Sequence, residues 1–451
     1  MATTYLTRTP GSNGSVTTAT MSAWVKRSAT GEANQIFGGQ TGVDGNNRTK
    51  FGIETDDTMA CQIYNGGSSY DWKSNRLLTD CSGWYHLVFV FDTSDGVAGD
   101  RIRFYCNGER ITSFATQDTI PLNAELKMNT TSDSIYVGAR KTSSTVNQFF
   151  NGCMSYVYFI DGTDYEASTF GSTDSDTGEW TINTSPTVTM GTNGFLILKN
   201  GDTITDQSTN SNDLTLGGGT LTATEDCPAD VFNTMNPLDN YYSAGTFSNG
   251  NTTYVTGTNA TPNSSTIGVS KGKFYWEVKY VSKSAGLRYP MIGISSTQAT
   301  ATGEELGHYA NDWAFYASDT TPYYRNNNTN TSYGTLYTEG DVVCVALDAD
   351  NNKLYFRIND GSWENSGDPT SGATGTGAIS ITAPASTPLG VYFPTIGYYD
   401  SNSGTFNANF GNGYFGTTII SSEGTNASGI GKFEYNVPAG YTAISAKGMN
   451  S

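Results

Sequence analysis

The chain has 451 residues, enough for about two or three domains of ordinary size, and only 15% are charged, against roughly 25% in a typical soluble protein. Its 52 Gly, 28 Tyr and 21 Phe give a Gly- and aromatic-rich composition that argues against a disordered chain, and no stretch sustains a helical period. The net charge of −18 repels phosphate backbones, so the first reading excludes a nucleic-acid partner.

In chain order, Met21–Arg27, Ile36–Gly39 and Lys50–Glu54 read as short strands. Gly83–Asp92 is an apolar strand ending in Asp. A polar turn follows, then the alternating Arg101–Cys106 and an Asn107-Gly108 turn. Period-2 alternation there turns Ile102 and Phe104 inward and Arg101 and Arg103 outward. Ser134–Gly138 and Gly152–Gly162 continue the pattern. Residues 163–193 are Ser-, Thr-, Asp- and Gly-rich, and Gly194–Leu198 returns to a strand. A connector runs from Asp226-Cys227-Pro228 to about Pro237.

The second half repeats the motif. Gly272–Tyr280 is a strong period-2 strand, with Phe274, Trp276 and Val278 on one side and Tyr275, Glu277 and Lys279 on the other. Gly340–Asp348, a polar turn, Lys353–Ile358 and an Asp360-Gly361 turn echo residues 83–108. Val391–Tyr399 and Thr405–Gly411 close the block, and residues 418–451 read as an extension. The expected architecture is all-β: two tandem antiparallel β-sandwich (jelly-roll) domains over 1–225 and 239–417, a connector over 226–238, and a C-terminal extension over 418–451 serving as an attachment strap.

Six Cys are widely spaced and none forms a Cys-x-x-Cys pair, which argues against zinc; whether Cys61 and Cys81 pair stays open. Residues 1–10 lack the apolar core of a signal peptide, and the longest apolar runs are too short for a membrane helix. The expectation is a protein made in a cytoplasm, without membrane insertion.

Ser22-Ala23-Trp24-Val25, Trp84–Leu87, Phe104–Gly108 and Phe150–Ser155 together resemble a concanavalin A-like, laminin-G-type jelly roll over residues 1–225. Phe274–Val278, Ile292-Gly293-Ile294, Gly340–Val343 and Leu354–Gly361 resemble a SPRY domain. The pairing, the connector to Leu238 and the ending Val437–Ala443 resemble tailed-phage proteins assigned as tail-fibre-like or virion surface components. The resemblance implies location in the virion, other virion proteins as partners, a homo-oligomer, and release by lysis. Fibres of that kind usually begin with an anchor and a stalk, whereas this sequence starts within the first sandwich, which favours a compact decoration or appendage.

The first domain's resemblance to glucanases calls for a search for paired carboxylates, about 5–5.5 Å apart in retaining glycosidases. Glu54-Thr55-Asp56-Asp57 comes nearest without the third acid and reads as a solvated turn; Glu304-Glu305 is weaker. His86 reads as a strand histidine in the core, and His308 as a loop residue able to meet a ligand. No catalytic residues or metal ligands are assigned and no cofactor is expected. Calcium, which laminin-G-type domains often hold, has its best ligands in the turns at Asp92–Asp95 and Asp348–Asn352.

Sugar recognition needs flat aromatic faces beside amides and carboxylates. The best clusters are Tyr64, Tyr70, Asp71 and Trp72 in the first domain, and Tyr323, Tyr324, Asn326, Tyr398 and Tyr399, with Asp400 and Ser401 beyond, in the second. The resulting expectation is a non-enzymatic structural or recognition component of a phage virion that binds host-surface glycan. The alternatives are a stand-alone lectin-like adhesin and a glycan depolymerase.

Overall fold

A computed structural model describes residues 3–199, 201–239, 244–258, 260, 262–286, 288–301, 303–399 and 402–450. It divides into two compact units, Met1–Ala223 and Thr224–Ser451, and its architecture is nearly all-β with antiparallel sheets.

In the first unit, an eight-stranded sheet has the spatial order Phe114–Gln117, Ser68–Leu77, Thr58–Asn65, Arg48–Ile53, Asn34–Thr41, Asp133–Val137, Tyr5–Arg8, Thr215–Gly218. It faces a six-stranded sheet ordered Phe195–Ile197, Gly152–Asp161, Thr18–Arg27, Tyr85–Asp92, Ile102–Cys106, Glu109–Ile111. The core lies between them. Phe51 stacks on Phe89 at 5.0 Å, and Phe104 meets Phe89 edge-on at 5.7 Å. Strand Tyr85–Asp92 is apolar throughout because both its faces are covered. Leu87, Phe89 and Phe91 enter the main core, while Val88 and Val90 join a second cluster with Tyr105, Tyr158 and Phe170. Ile102 and Phe104 point inward as the alternation required. Arg101 does not follow it: it precedes the strand and is buried, donating from Nε to Asp95 O (2.9 Å) and from Nη1 to Ile120 O (2.8 Å). Cys61 and Cys81 are both free thiols.

In the second unit, a seven-stranded sheet is ordered Thr246–Ser248, Thr253–Val255, Gly404–Asn409, Lys273–Lys283, Val342–Asp348, Lys353–Ile358, Ile379–Ser380. Opposite lies a six-stranded sheet ordered Asn263–Ser264, Phe393–Tyr398, Pro290–Ser295, Asp312–Ser318, Thr321–Asn326, Thr329–Ser332. Phe274, Trp276, Val278, Val343, Val345, Phe356 and Phe406 fill the space between the sheets, together with Ile292, Ile294 and Phe315.

The far face of the seven-stranded sheet is buried too, which alters the reading of the connector and the extension. Tyr275, Val342, Cys344, Ala346 and Tyr355 pack under Phe232 from the connector and under Phe415, Phe433, Val437, Tyr441 and Ala443. The C-terminal segment is part of a core. Its apolar residues are spaced by Gly, Pro and Asn because it crosses the sheet as irregular chain rather than as a strand. Glu277 fastens it. Its Oε1 accepts from Tyr435 N–H (2.8 Å) and Tyr275 O–H (3.0 Å), and its Oε2 from Glu434 N–H (3.0 Å) and Asn409 Nδ2 (3.0 Å). Arg357 Nη2 adds a bond to Asn436 O at 2.7 Å. A buried carboxylate needs such donors, and here two of the four come from the segment it holds. The C-terminal segment is therefore a structural cover of the sheet.

Candidate binding sites

Strand alternation divides each aromatic cluster. Tyr64 and residues 70–72 lie on the paired strands Thr58–Asn65 and Ser68–Leu77 rather than in a loop, in the register Ile63↔Tyr70, Gln62↔Asp71 and Cys61↔Trp72. Trp72, only 3% exposed, belongs to the core, and Tyr70 packs against it. Trp72 presents no flat face to a ligand, because core-facing positions are where the sandwich needs large side chains, and Tyr70 is half-buried at the core's edge. Tyr64 and Asp71 share the opposite, outer face. Asp71 accepts from Gln62 Nε2 (2.7 Å) and Ser69 Oγ (2.8 Å), and the guanidinium of Arg48 lies 3.8 Å over the Tyr64 ring.

In the second unit Tyr323, Tyr324 and Asn326 are on strand Thr321–Asn326, again not in a loop. Tyr323 and Tyr399 converge on Tyr316, at 6.2 and 5.7 Å, and Tyr289 lies 5.9 Å from Tyr399. This tyrosine platform tops a small cluster of Met291, Leu306 and Ala314. Arg325 sits 5.4 Å from the Tyr399 ring and is held by an ion pair to buried Glu305. Tyr399 is 42% exposed, but Tyr398, at 1%, is buried in the core and unavailable to a ligand. Asp400 and Ser401 lie outside the described residues.

Tyr324 and Asn326 turn the other way and line a cleft of about 470 Å³. Trp313 and Tyr333 supply further aromatic wall, and Asn365, Ser380 and Thr382 supply polar groups. Tyr324 and Tyr333 meet edge-on at 5.8 Å. Asn326 Nδ2 donates to Asp312 O (2.8 Å) and Ala310 O (3.1 Å), so the carboxamide is fixed in place. Among the described residues lining this cleft there is no carboxylate, Lys, Arg or His. Trp313, Tyr333, Asn365 and Thr382 were not anticipated. They come from four separated segments, and only the polar–aromatic texture of Asn311–Trp313 and Ser332–Gly334 hinted at them.

The candidate acids and bases are engaged elsewhere. Glu54 pairs with Lys50 (2.6 Å), Asp57 pairs with Arg27 (2.8 Å), and Asp56 pairs with Lys73. Glu304 accepts the loop N–H groups of Thr300 and Ala301. His308 is half-buried beside Tyr309 at 4.8 Å. His86 is fully buried between Trp24 (4.9 Å) and Trp180 (6.0 Å), and burial pulls its pKa down to about 3. Its Nε2 lies 2.9 Å from Ser22 Oγ, a spacing that invites comparison with a nucleophile–base pair. Yet Trp180 Nε1–H donates to His86 Nδ1 at 3.1 Å, so the proton of the neutral ring is on Nε2. That nitrogen donates to Ser22 and has no lone pair with which to activate it.

The turn carboxylates named for calcium are internally bonded. Asp92 Oδ1 accepts from Ser94 Oγ (2.5 Å) and Thr18 Oγ1 (3.2 Å), and Asp348 Oδ2 accepts from Asn351 Nδ2 at 2.9 Å beside Lys273 Nζ at 3.1 Å. Among the described residues no group of three or more His, Cys, Asp or Glu is placed to hold a metal.

Residues 2–163 match the family model described as the concanavalin A-like lectin/glucanases superfamily, and residues 273–409 match that of the SPRY domain. No curated protein matches the chain. Among solved structures, the SPRY domain of human HERC1 is 14% identical, with a TM-score of 0.29 over 39% of this chain and 96% of that one. A heptameric SAP-like pentraxin from Limulus polyphemus is 16% identical, with a TM-score of 0.30 over 44% of this chain and 89% of that one. Stonustoxin is 18% identical, with a TM-score of 0.28 over 39% of this chain and 27% of its own. The chain thus carries a concanavalin A-like, laminin-G-type domain followed by a SPRY domain.

Proposed function

We propose that this protein is a non-enzymatic recognition component of a tailed-phage virion surface, a fibre-like appendage or decoration, and that it binds host glycan in the second-unit cleft. Domains of these two kinds point to carbohydrate or protein binding. The observation that supports glycan is the chemistry of the cleft: half-buried Tyr324 at its surface, with Trp313 and Tyr333 buried in the core behind it, beside amides and hydroxyls and without a charged side chain. Aromatic faces take sugar C–H surfaces and amides take hydroxyls. An uncharged lining favours a neutral saccharide over a peptide whose charged side chains would need partners.

A glycan array with the full chain tests the binding. Saturable binding to neutral glycans, lost in Tyr324→Ala, is expected; a flat array overturns the glycan reading. The virion assignment rests on the sequence resemblance and is tested by proteomics of purified particles, from which the protein's absence would sink it. The tyrosine platform of Tyr289, Tyr316, Tyr323 and Tyr399 supports a second reading, contact with another protein, including a further copy of this chain. Loss of assembly in Tyr399→Ser with glycan binding intact would favour it. Release of reducing ends from host polysaccharide would revive a depolymerase.

A further inference from the structure

The first unit carries a cationic shelf on the outer face of its eight-stranded sheet, although the chain has a net charge of −18. Cross-strand rows define its floor: Gln40↔Arg48↔Tyr64 in one row and Gly38↔Lys50↔Gln62↔Asp71 in the next. The hairpin Arg140–Thr142 and Thr145–Asn147 forms a wall above Gly38, where a Cβ would lie 2.7 Å from Ala139 O and 2.9 Å from Arg140 Cα. Only a glycine admits the wall at that distance, so the wall's position is built into the floor.

Three cations gather there: Arg48, Lys50 and Arg140. Glu54 balances one of them, pairing with Lys50 at 2.6 Å. Arg48 donates to Gly45 O and stacks 3.8 Å over Tyr64, but its Nε is buried and has no partner among the described residues. Arg140 uses Nε on Asn147 Oδ1 at 3.0 Å. Neither arginine forms an ion pair among the described residues. Burial lowers Arg140's pKa, with Glu54 opposing and Arg48 adding to the shift. Asp71, at the far end of the floor, is occupied by Gln62 and Ser69.

We propose that this shelf binds the acidic group of a saccharide, with Arg48 and Arg140 as the donors to a carboxylate or sulfate. A guanidinium presents paired N–H groups that match an oxyanion, and half-buried guanidiniums in no direct ion pair gain from one. Because Arg48 covers one face of Tyr64, sugar stacking on that face is blocked. The surrounding Gln62, Ser69 and Asn147 suit hydroxyls. A chain as acidic as this one repels long polyanions elsewhere, which confines their binding to the shelf. The site lies in the other unit and does not depend on the neutral cleft.

The test passes the full-length protein over immobilised polygalacturonate, dextran sulfate and neutral dextran, at low and physiological salt, by biolayer interferometry. Saturable binding to an acidic polymer and none to dextran is expected, weakened about tenfold or more in Arg48→Gln/Arg140→Gln. Arg48→Lys/Arg140→Lys, which keeps the charge but not the fork, should recover part of the binding, and both variants should melt with the parent. Preference for polygalacturonate assigns a carboxylate, and preference for dextran sulfate a sulfate. Tyr324→Ala should leave acidic-polymer binding unchanged, which separates this site from the cleft. Equal retention by dextran, unchanged binding of the Gln variant, or no binding to either acidic polymer overturns the proposal.

Discussion

Glu277→Ala is the substitution with the largest consequence that can be worked from the structure. The side chain is fully buried and receives four donors between 2.8 and 3.0 Å. The Tyr275 hydroxyl can turn to another acceptor, but the N–H groups of Glu434 and Tyr435 and the Asn409 amide cannot. A buried donor left without a partner costs about 1–3 kcal/mol. Three of them would total about 3–9 kcal/mol, and water entering the vacated volume brings the expectation to about 3–5 kcal/mol. With a urea slope of about 1–3 kcal/mol per molar, the second unit's midpoint should fall by about 1–5 M. Glu277→Gln keeps one acceptor and sets its NH₂ against one fixed donor, so it should cost about 1–3 kcal/mol. Urea titration monitored by fluorescence, with hydrogen exchange of residues 430–445, reads both effects. Exchange in that segment should rise before global unfolding. An Ala variant with the parent midpoint and parent exchange would refute the claim that Glu277 fastens the C-terminal segment.

Truncation after residue 417 should leave the second unit insoluble or unfolded by circular dichroism, since it uncovers Tyr275, Val342, Cys344 and Tyr355; a soluble, cooperatively melting product would refute the covering role. Trp72→Ala should destabilise the first unit by about 3–5 kcal/mol through a core cavity and leave ligand binding by the folded fraction unchanged; the reverse pattern in denaturation and array measurements would put Trp72 at a ligand. The two units should respond oppositely to pH. His86 is held neutral to about pH 3, whereas the unfolded chain protonates it below about 6.5, so the first unit loses about 1.4 kcal/mol per pH unit as pH falls below that value. Glu277 and Asp312 are pushed up by burial to about 7, so the second unit is most stable below their ordinary values near 4 and weakens as pH rises toward 7. Melts of the separate transitions between pH 4.5 and 7.5 check the signs, and parallel shifts of both would contradict them.

The sandwiches were legible in the sequence because their signal is local. Period-2 runs such as Arg101–Cys106 and Gly272–Tyr280 state which residues face inward, and the core holds Phe104, Trp276 and Phe356 as expected. The aromatic clusters divide for one reason. Tyr64 and residues 70–72 were grouped by nearness along the chain, yet a strand sends neighbours to opposite faces, so the cluster separated into Tyr64 and Asp71 outside and Tyr70 and Trp72 inside. The burial of the extension is illegible for a different reason. Its partner surface, Tyr275, Cys344 and Tyr355, lies on strands far away in sequence, and an irregular segment has no period to announce burial. The cleft is the least legible feature, since its lining residues come from positions 310 to 382.

The repeated strand–turn–strand motif now locates function by exclusion. In both units the first motif strand is covered on both faces: Tyr85–Asp92 beneath Phe170 and Met190, and Val342–Asp348 beneath Phe433 and Tyr441. A ligand cannot reach the faces of these central strands. What remains open differs between the units, because each covers a different sheet with its extra chain. The first unit covers its six-stranded sheet with residues around Phe170 and Trp180 and leaves the eight-stranded face to Arg48, Lys50 and Tyr64. The second covers its seven-stranded sheet with the C-terminal segment and leaves the six-stranded sheet to the tyrosine platform and the neutral cleft. Two related sandwiches therefore expose surfaces of different chemistry, one cationic and one uncharged and aromatic. Double variants drawn from the two surfaces should be additive in binding energy if each surface takes its own ligand. Non-additivity between Arg140→Gln and Tyr324→Ala on a single mixed glycan would mean that one ligand spans both.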